Sequence, residues 1–217
     1  MTRVLVVSPH LDDAVYSAGQ FLAGRPGAVV VTMFAGAPDP PVIGTDWDNG
    51  CGFADSQEAM PARIKEDNAA LALLNAIPVQ LGFLDQQYTN APTDPSTLVN
   101  AIIEQVEQHS PEFVVGPLGL RHSDHVRVRK AVLAAEVDVP LWLYGDLPYR
   151  KQNDAWLQDA LQEISSDGYS LDGPTNIGTG PSELKREAVE CYVSQTRFFA
   201  KIVDDAIMVP ELFWRVT

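Results

Sequence analysis

Sulfur, basic charge and long hydrophobic runs are all scarce in this chain, and each shortage removes a class of function. Cys51 and Cys191 stand far apart and alone, so neither a zinc ribbon nor a disulfide framework is expected, only two reduced thiols. Lys and Arg number 15 against 29 Asp and Glu, a net charge of −14 that repels phosphate backbones and anionic lipid. No nucleic-acid partner is expected, and the acidity reads as a solvated surface. No stretch approaches the roughly 20 apolar residues of a membrane span. The opening MTRVLVVSPH has an apolar run too short for a secretory signal, which makes the cytoplasm the expected location. The turn after the first strand lacks G-x-G-x-x-G, and GTGP at 178–181 has no strand–turn–helix context, so no nucleotide site is expected.

What is present is alternation. An apolar fraction of 46% supports one core, and residues 1–217 read as a single domain. Short runs rich in Val, Leu, Ile and aromatics predict strands at Arg3 to Val7, Ala28 to Phe34, Val79 to Leu84, Phe113 to Pro117 and Leu141 to Tyr144. Helices are predicted between them at Asp13 to Leu22, Ala62 to Ala76 and Ser96 to Gln108. The fold expected is α/β and Rossmann-like, a mostly parallel sheet with helices on both faces. Two segments are less regular. Gly36 to Pro61 reads as a functional loop in which Trp47 and Asp48 could cover a ligand, and Asp167 to Pro181 reads as turns around a short strand or hairpin.

Ligands of such sheets sit beyond the carboxyl ends of the strands. SPHLDD, residues 8–13, follows the first strand, and GPLGLRHSDH, residues 116–125, follows the fourth. If those strands are neighbours, the two stretches converge. They hold three of the four histidines, His10, His122 and His125, with Asp12, Asp13 and Asp124. A catalytic zinc takes three imidazole or carboxylate ligands and keeps one position open. His10 and Asp13 are spaced to meet one ion, and HSDH can supply the third ligand from either histidine. Asp12, pointing elsewhere, is free to act as a base, and the unliganded histidine as an acid or oxyanion donor. Amide or ester hydrolysis is the chemistry this set suits. His109, before Ser110-Pro111, reads as a helix-end histidine with no chemical role.

These residues resemble the PIG-L/LmbE family of zinc-dependent N-deacetylases, through Pro9-His10-Leu11-Asp12-Asp13 and His122-Ser123-Asp124-His125. RIKEDNAALALLNA at 63–76, LGFLDQQY at 81–88, KREAVECYVSQTRFF at 185–199 and ELFWRV near the end are also similar to family segments. The resemblance implies His10, Asp13 and His125 as zinc ligands, with another divalent metal such as iron left open. It implies Asp12 as general base, His122 as the group that steadies the oxyanion and protonates the amine, and Asp124 as the partner that orients or charges His122. It further implies substrate contact by Arg63 and a site role for Asp85.

The end of the fifth strand adds Tyr144, Asp146 and Tyr149, a set that suits a sugar's apolar patch and hydroxyls. The expected substrate is a small N-acylated amino sugar, because the family acts on N-acetylglucosaminyl conjugates in lipid anchors, low-molecular-weight thiols and antibiotics. Oligomerisation is left open. Two departures stand out: Leu11 replaces a usual Pro, and Ala14 stands where many members carry Glu, so the site must be oriented from elsewhere. The rival readings are a metal-dependent hydrolase of a non-sugar amide or ester, and a module that uses its ion only to hold a ligand, for which Ala14 is the best support.

Overall fold

The computed structural model describes residues 3–199 and 203–217, without the side chains of 198, 199, 203 and 204. Among them the strands are β1 (Val4–Ser8), β2 (Val29–Thr32), β3 (Ile77–Gln80), β4 (Phe113–Pro117), β5 (Leu141–Tyr144), β6 (Leu171–Thr175) and β7 (Phe213–Val216). They form one sheet in the order β3-β2-β1-β4-β5-β7-β6. The first five run parallel, whereas β7 pairs antiparallel with both β5 and β6. β1 and β4 are therefore neighbours, and the winding reverses between them. That reversal opens a crevice where SPHLDD and RHSDH emerge.

β1 is apolar over Val4, Leu5, Val6 and Val7 because it is covered twice. Val4 and Val6 pack into the layer of α1 (Asp13–Ala23), α3 (Ser56–Leu73) and α8 (Ser182–Glu190). Leu5 and Val7 pack into the layer of α4 (Pro95–His109) and α5 (Ser123–Ala134). The remaining helices are α2 (Asp46–Cys51), α6 (Tyr149–Gln152), α7 (Asp154–Ser166) and α9 (Val193–Phe199).

Several boundaries differ from expectation for local reasons. α3 starts at Ser56, not Ala62, because the Asp55 carboxylate accepts the Gln57 and Glu58 N–H groups at 2.8 and 3.0 Å. The Gly36–Pro61 stretch thus ends in a helix and also contains α2, capped by Thr45 Oγ1 on Asp48 N–H. Asn75 turns left-handed at φ 52°, so the chain enters β3 at Ile77, earlier than the predicted Val79. The stretch KREAVECYVSQTRFF runs through two helices, α8 and α9, separated at Cys191 and Tyr192. Phe198 and Phe199, at the end of that stretch of the resemblance, have side chains outside the described set. The turn-rich Asp167–Pro181 segment does hold a strand, β6, laid on β7.

Candidate metal centre

SPHLDD folds into a capped turn. Ser8 Oγ donates to the His10 carbonyl at 2.7 Å and accepts the Ala14 N–H at 3.0 Å, closing the strand end onto the start of α1. Asp13 then sits in the first helical turn, and the His10 main-chain N–H donates to its Oδ2 at 2.9 Å. The second stretch is capped in a similar way. Asp124 N–H donates to His122 Nδ1 at 3.2 Å, so His122 is the N-cap of α5 and His125 lies within its first turn.

The two stretches meet around one carboxylate oxygen. Asp13 Oδ2 is 3.1 Å from His10 Nδ1 and 3.1 Å from His125 Nε2. His10, His122 and His125 can each aim a ring nitrogen so that all three lie within 4.8 Å of one another. His10, Asp85, His122 and Asp124 form a second, overlapping set of the same kind. Each imidazole facing Asp13 is held from behind by a further carboxylate. His10 Nε2 is 3.3 Å from Asp124 Oδ2, and His125 Nδ1 is 2.6 Å from Asp146 Oδ1. Metal-binding histidines are oriented by this kind of support.

Carboxylates surround both imidazoles. Burial opposes charging of His10, yet Asp85, Asp124 and Asp13 together hold its pKa well above the ordinary value. His125, likewise opposed by burial, is pushed up to about 9 by Asp13 and Asp146. Burial also opposes ionisation of Asp13, but His125 and His10 keep it well below the usual carboxylate range. His125 Nε2 is buried and faces Asp13 Oδ2 at 3.1 Å without the alignment of a hydrogen bond. The donor set fits a divalent cation: two supported imidazoles and a carboxylate, with further acidic groups around them.

A pocket of about 120 Å³ opens over this cluster, lined among others by Asp12, Arg63, Asp85 and His122. Asp12 is 3.9 Å from the Arg63 guanidinium, and burial followed by repulsion from Asp13 raises it to about 7. His122 is lowered to about 4 by burial and by His10 and His125. Its Nδ1 accepts the Asp124 N–H, so the neutral ring carries its proton on Nε2 and is a donor without being charged.

Some expected contacts are corrected. Tyr144 does not line the pocket; it is fully buried in the core and donates its hydroxyl to the Val7 carbonyl at 3.1 Å. Asp146 is also fully buried, and accepts from Gly119 N–H while facing His125, so it supports an imidazole and does not meet a sugar. The Asp124 carboxylate contacts His10, the Gln86 N–H and Arg127; it acts on His122 through its charge, while its main-chain N–H orients the ring. Ala14 packs in the core, and Asp124 with Asp146 supplies the orientation that a carboxylate at 14 would give. Trp47 and Tyr149 do line the pocket, and Trp47 is tied by its Nε1–H to Gln195 Oε1 at 2.8 Å. Gln87, Pro148 and Tyr16 were not foreseen. Tyr16 had a usable signal, since it lies one helical turn beyond Asp12 and Asp13.

The profile of the PIG-L family, described as GlcNAc-PI de-N-acetylase, matches residues 5–136, which include every residue of both motifs. The chain belongs to the PIG-L family. Among solved structures, the zinc-inhibited form of teicoplanin deacetylase Orf2 is 27% identical, with 100% of this chain and 98% of that one covered and a TM-score of 0.78. The A40926 pseudoaglycone deacetylase Dbv21 is 29% identical over 100% and 97%, also at 0.78. A hydratase from Pseudomonas putida, GalB, is 17% identical over 100% and 96% with a TM-score of 0.64, which speaks for the fold alone. A search of curated proteins found no match. This PIG-L chain is an N-deacetylase by family and by its full-length structural neighbours.

Proposed function

We propose that the chain removes an acetyl group from the nitrogen of an amino sugar carried on a larger glycosylated molecule, with zinc held by His10, Asp13 and His125. The observation that carries the metal assignment is that Asp13 Oδ2 faces His10 Nδ1 and His125 Nε2 at 3.1 Å each, where ring nitrogens of three histidines lie within 4.8 Å of one another. The substrate class draws on the relatives that act on teicoplanin and on the A40926 pseudoaglycone, and on a pocket walled by Trp47 and Tyr149.

Bound there, a divalent ion supplies Lewis acidity toward the amide carbonyl and makes water a stronger acid. Asp12 takes the proton from the attacking water, a task suited to a carboxylate lifted toward neutrality. His122 donates its Nε2–H to the developing oxyanion. The sequence led us to expect that His122 also protonates the departing amine. His122 lines the pocket and keeps that role in this reading, while Asp12 holds the proton taken from water. Arg63, 3.9 Å from Asp12, steadies its ionised form.

The test is metal analysis of freshly purified protein followed by amine release from N-acetylglucosamine glycosides, including glycosylated natural products. About one zinc per chain and stoichiometric amine are expected. Fully metal-loaded protein that frees no amine from any N-acylated amino sugar would sink the proposal.

A further inference from the structure

The catalytic pocket contains a polar group for which the mechanism has no use. Tyr16 lines the pocket from the second turn of α1, is 1% exposed, and its hydroxyl has no hydrogen-bond partner among the described residues. The neighbouring Arg63, which lines the same wall, has an unpartnered Nε. A buried hydroxyl left unpaired costs about 1–3 kcal/mol, so two idle polar groups on one wall of a ligand pocket call for a partner. The Tyr16 ring is fixed edge-on to Tyr192, with centroids 5.5 Å apart, and Tyr192 is anchored in turn to Asp67 at 2.8 Å. The phenol is thus pre-positioned and cannot turn away to find a partner of its own.

We infer that Tyr16 is a specificity-determining residue whose hydroxyl, beside Arg63, binds one hydroxyl oxygen of the sugar ring of the substrate. The inference rests on the amino-sugar reading given above. A hydroxyl suits both idle groups, since it can accept from the Arg63 Nε–H and either donate to or accept from the phenol. The ligand group is neutral because the site is already rich in negative charge. Asp12, Asp13 and Asp85 line the pocket against one guanidinium, that of Arg63. It belongs to the sugar, not the acyl group. The carbonyl must meet His122, which comes from the β4–α5 turn, whereas Tyr16 and Arg63 come from α1 and α3 on the Asp12 side.

The experiment compares metal-loaded full-length protein with its Tyr16→Phe variant on an N-acetylglucosamine glycoside and on its 3-, 4- and 6-deoxy forms. The variant should lose about 10-fold or more in kcat/KM on the parent sugar, mainly through KM. For one deoxy sugar, wild type and variant should be equally slow, because the partner of the phenol is already gone. The pH–rate profile should keep its midpoint, as a residue acting through Asp12 would not allow. Tyr16→Phe should also unfold at the same or a higher temperature, since it removes an unpaired polar atom and keeps the ring contact with Tyr192. Activity within twofold of wild type on every sugar would overturn the inference, as would a loss of equal size on all three deoxy forms. If wild-type protein releases no amine, the functional reading fails separately. Calorimetric titration of the same sugars into both zinc-loaded proteins then decides, and equal affinity of the two for the parent sugar overturns the role of Tyr16.

Discussion

Helix α1 meets a cluster of buried charge at each end, and the two clusters are built on opposite terms. At its far end the helix is broken at Ala18, where φ is −139°, and the Glu211 carboxylate caps the freed Gln20 and Phe21 N–H groups at 2.8 and 3.0 Å. Lys185 lies 2.9 Å from Glu211, and its stem crosses so close to Gly19 that a Cβ there would meet Lys185 Cγ at 2.7 Å. Here one ammonium faces one carboxylate, and that carboxylate also caps the helix. At the near end Asp13 serves two imidazoles and Asp12 is paired only loosely with Arg63. One cluster carries its own cation, and the other gathers imidazoles and carboxylates around one point.

The most severe test of this contrast separates two adjacent carboxylates. Asp13→Ala is expected to lose bound zinc, and with it at least about 10³-fold in kcat/KM. Asp12→Asn is expected to keep zinc and lose about 10²–10⁴-fold in kcat. Metal analysis beside steady-state kinetics reads both. Equal zinc content in the two variants would erase the division of labour. At the far end, Lys185→Met should leave zinc per folded chain unchanged and destabilise the fold by about 3 kcal/mol, because Glu211 would be left buried without its cation. Urea unfolding measures it, and loss of zinc in that variant would show that the clusters are not independent. A smaller effect is expected behind the site. Asp146→Ala should weaken zinc binding by roughly 10–100-fold in a chelator competition, since His125 loses its support. Tyr144→Phe should leave KM unchanged, contrary to what its place at the end of β5 suggested.

Most of this contrast could be read from the sequence at one end of α1 and almost none at the other. The near-end residues are adjacent in the chain, so SPHLDD and HSDH announce themselves, and the rule for parallel sheets brings them together before any coordinates exist. Lys185 and Glu211 are separated from Gly19 and Gln20 by more than 160 residues and belong to no motif. Lys185 arrives on α8, which packs on α1, and Glu211 arrives just before the antiparallel strand β7; nothing in a run such as VPELFW declares that order. The errors over Tyr144 and Asp146 have a related cause. The residues that leave a strand at its carboxyl end alternate between pocket and core, and β5 turns these two inward to Val7 and His125. Tyr149, a few residues on, reaches the pocket instead.

Between the clusters lies a carboxylate of a third kind, and it allows the finest test. Asp67 is buried on α3 one turn beyond Arg63, accepting from the Tyr192 hydroxyl at 2.8 Å and from Gln80 Nε2 at 3.3 Å. Burial raises it to about 6, against the pull of Tyr192, Gln80 and Arg63. An unfolded aspartate titrates near 3.8. Between these values the folded chain keeps a proton that the unfolded chain has released. The contribution of Asp67 therefore favours folding below about pH 4, falls as pH rises toward 6, and stays unfavourable above it. Asp67→Asn keeps an acceptor for Tyr192 and removes the titration. The variant should be more stable than wild type by about 1–3 kcal/mol at pH 7.5 and equal to it near pH 4, in urea unfolding across that range. A stability difference that stays flat with pH would mean that Arg63 already neutralises Asp67 as well as Asp12. The unbalanced charge of the metal centre would then extend one turn further along α3 than its hydrogen bonds indicate.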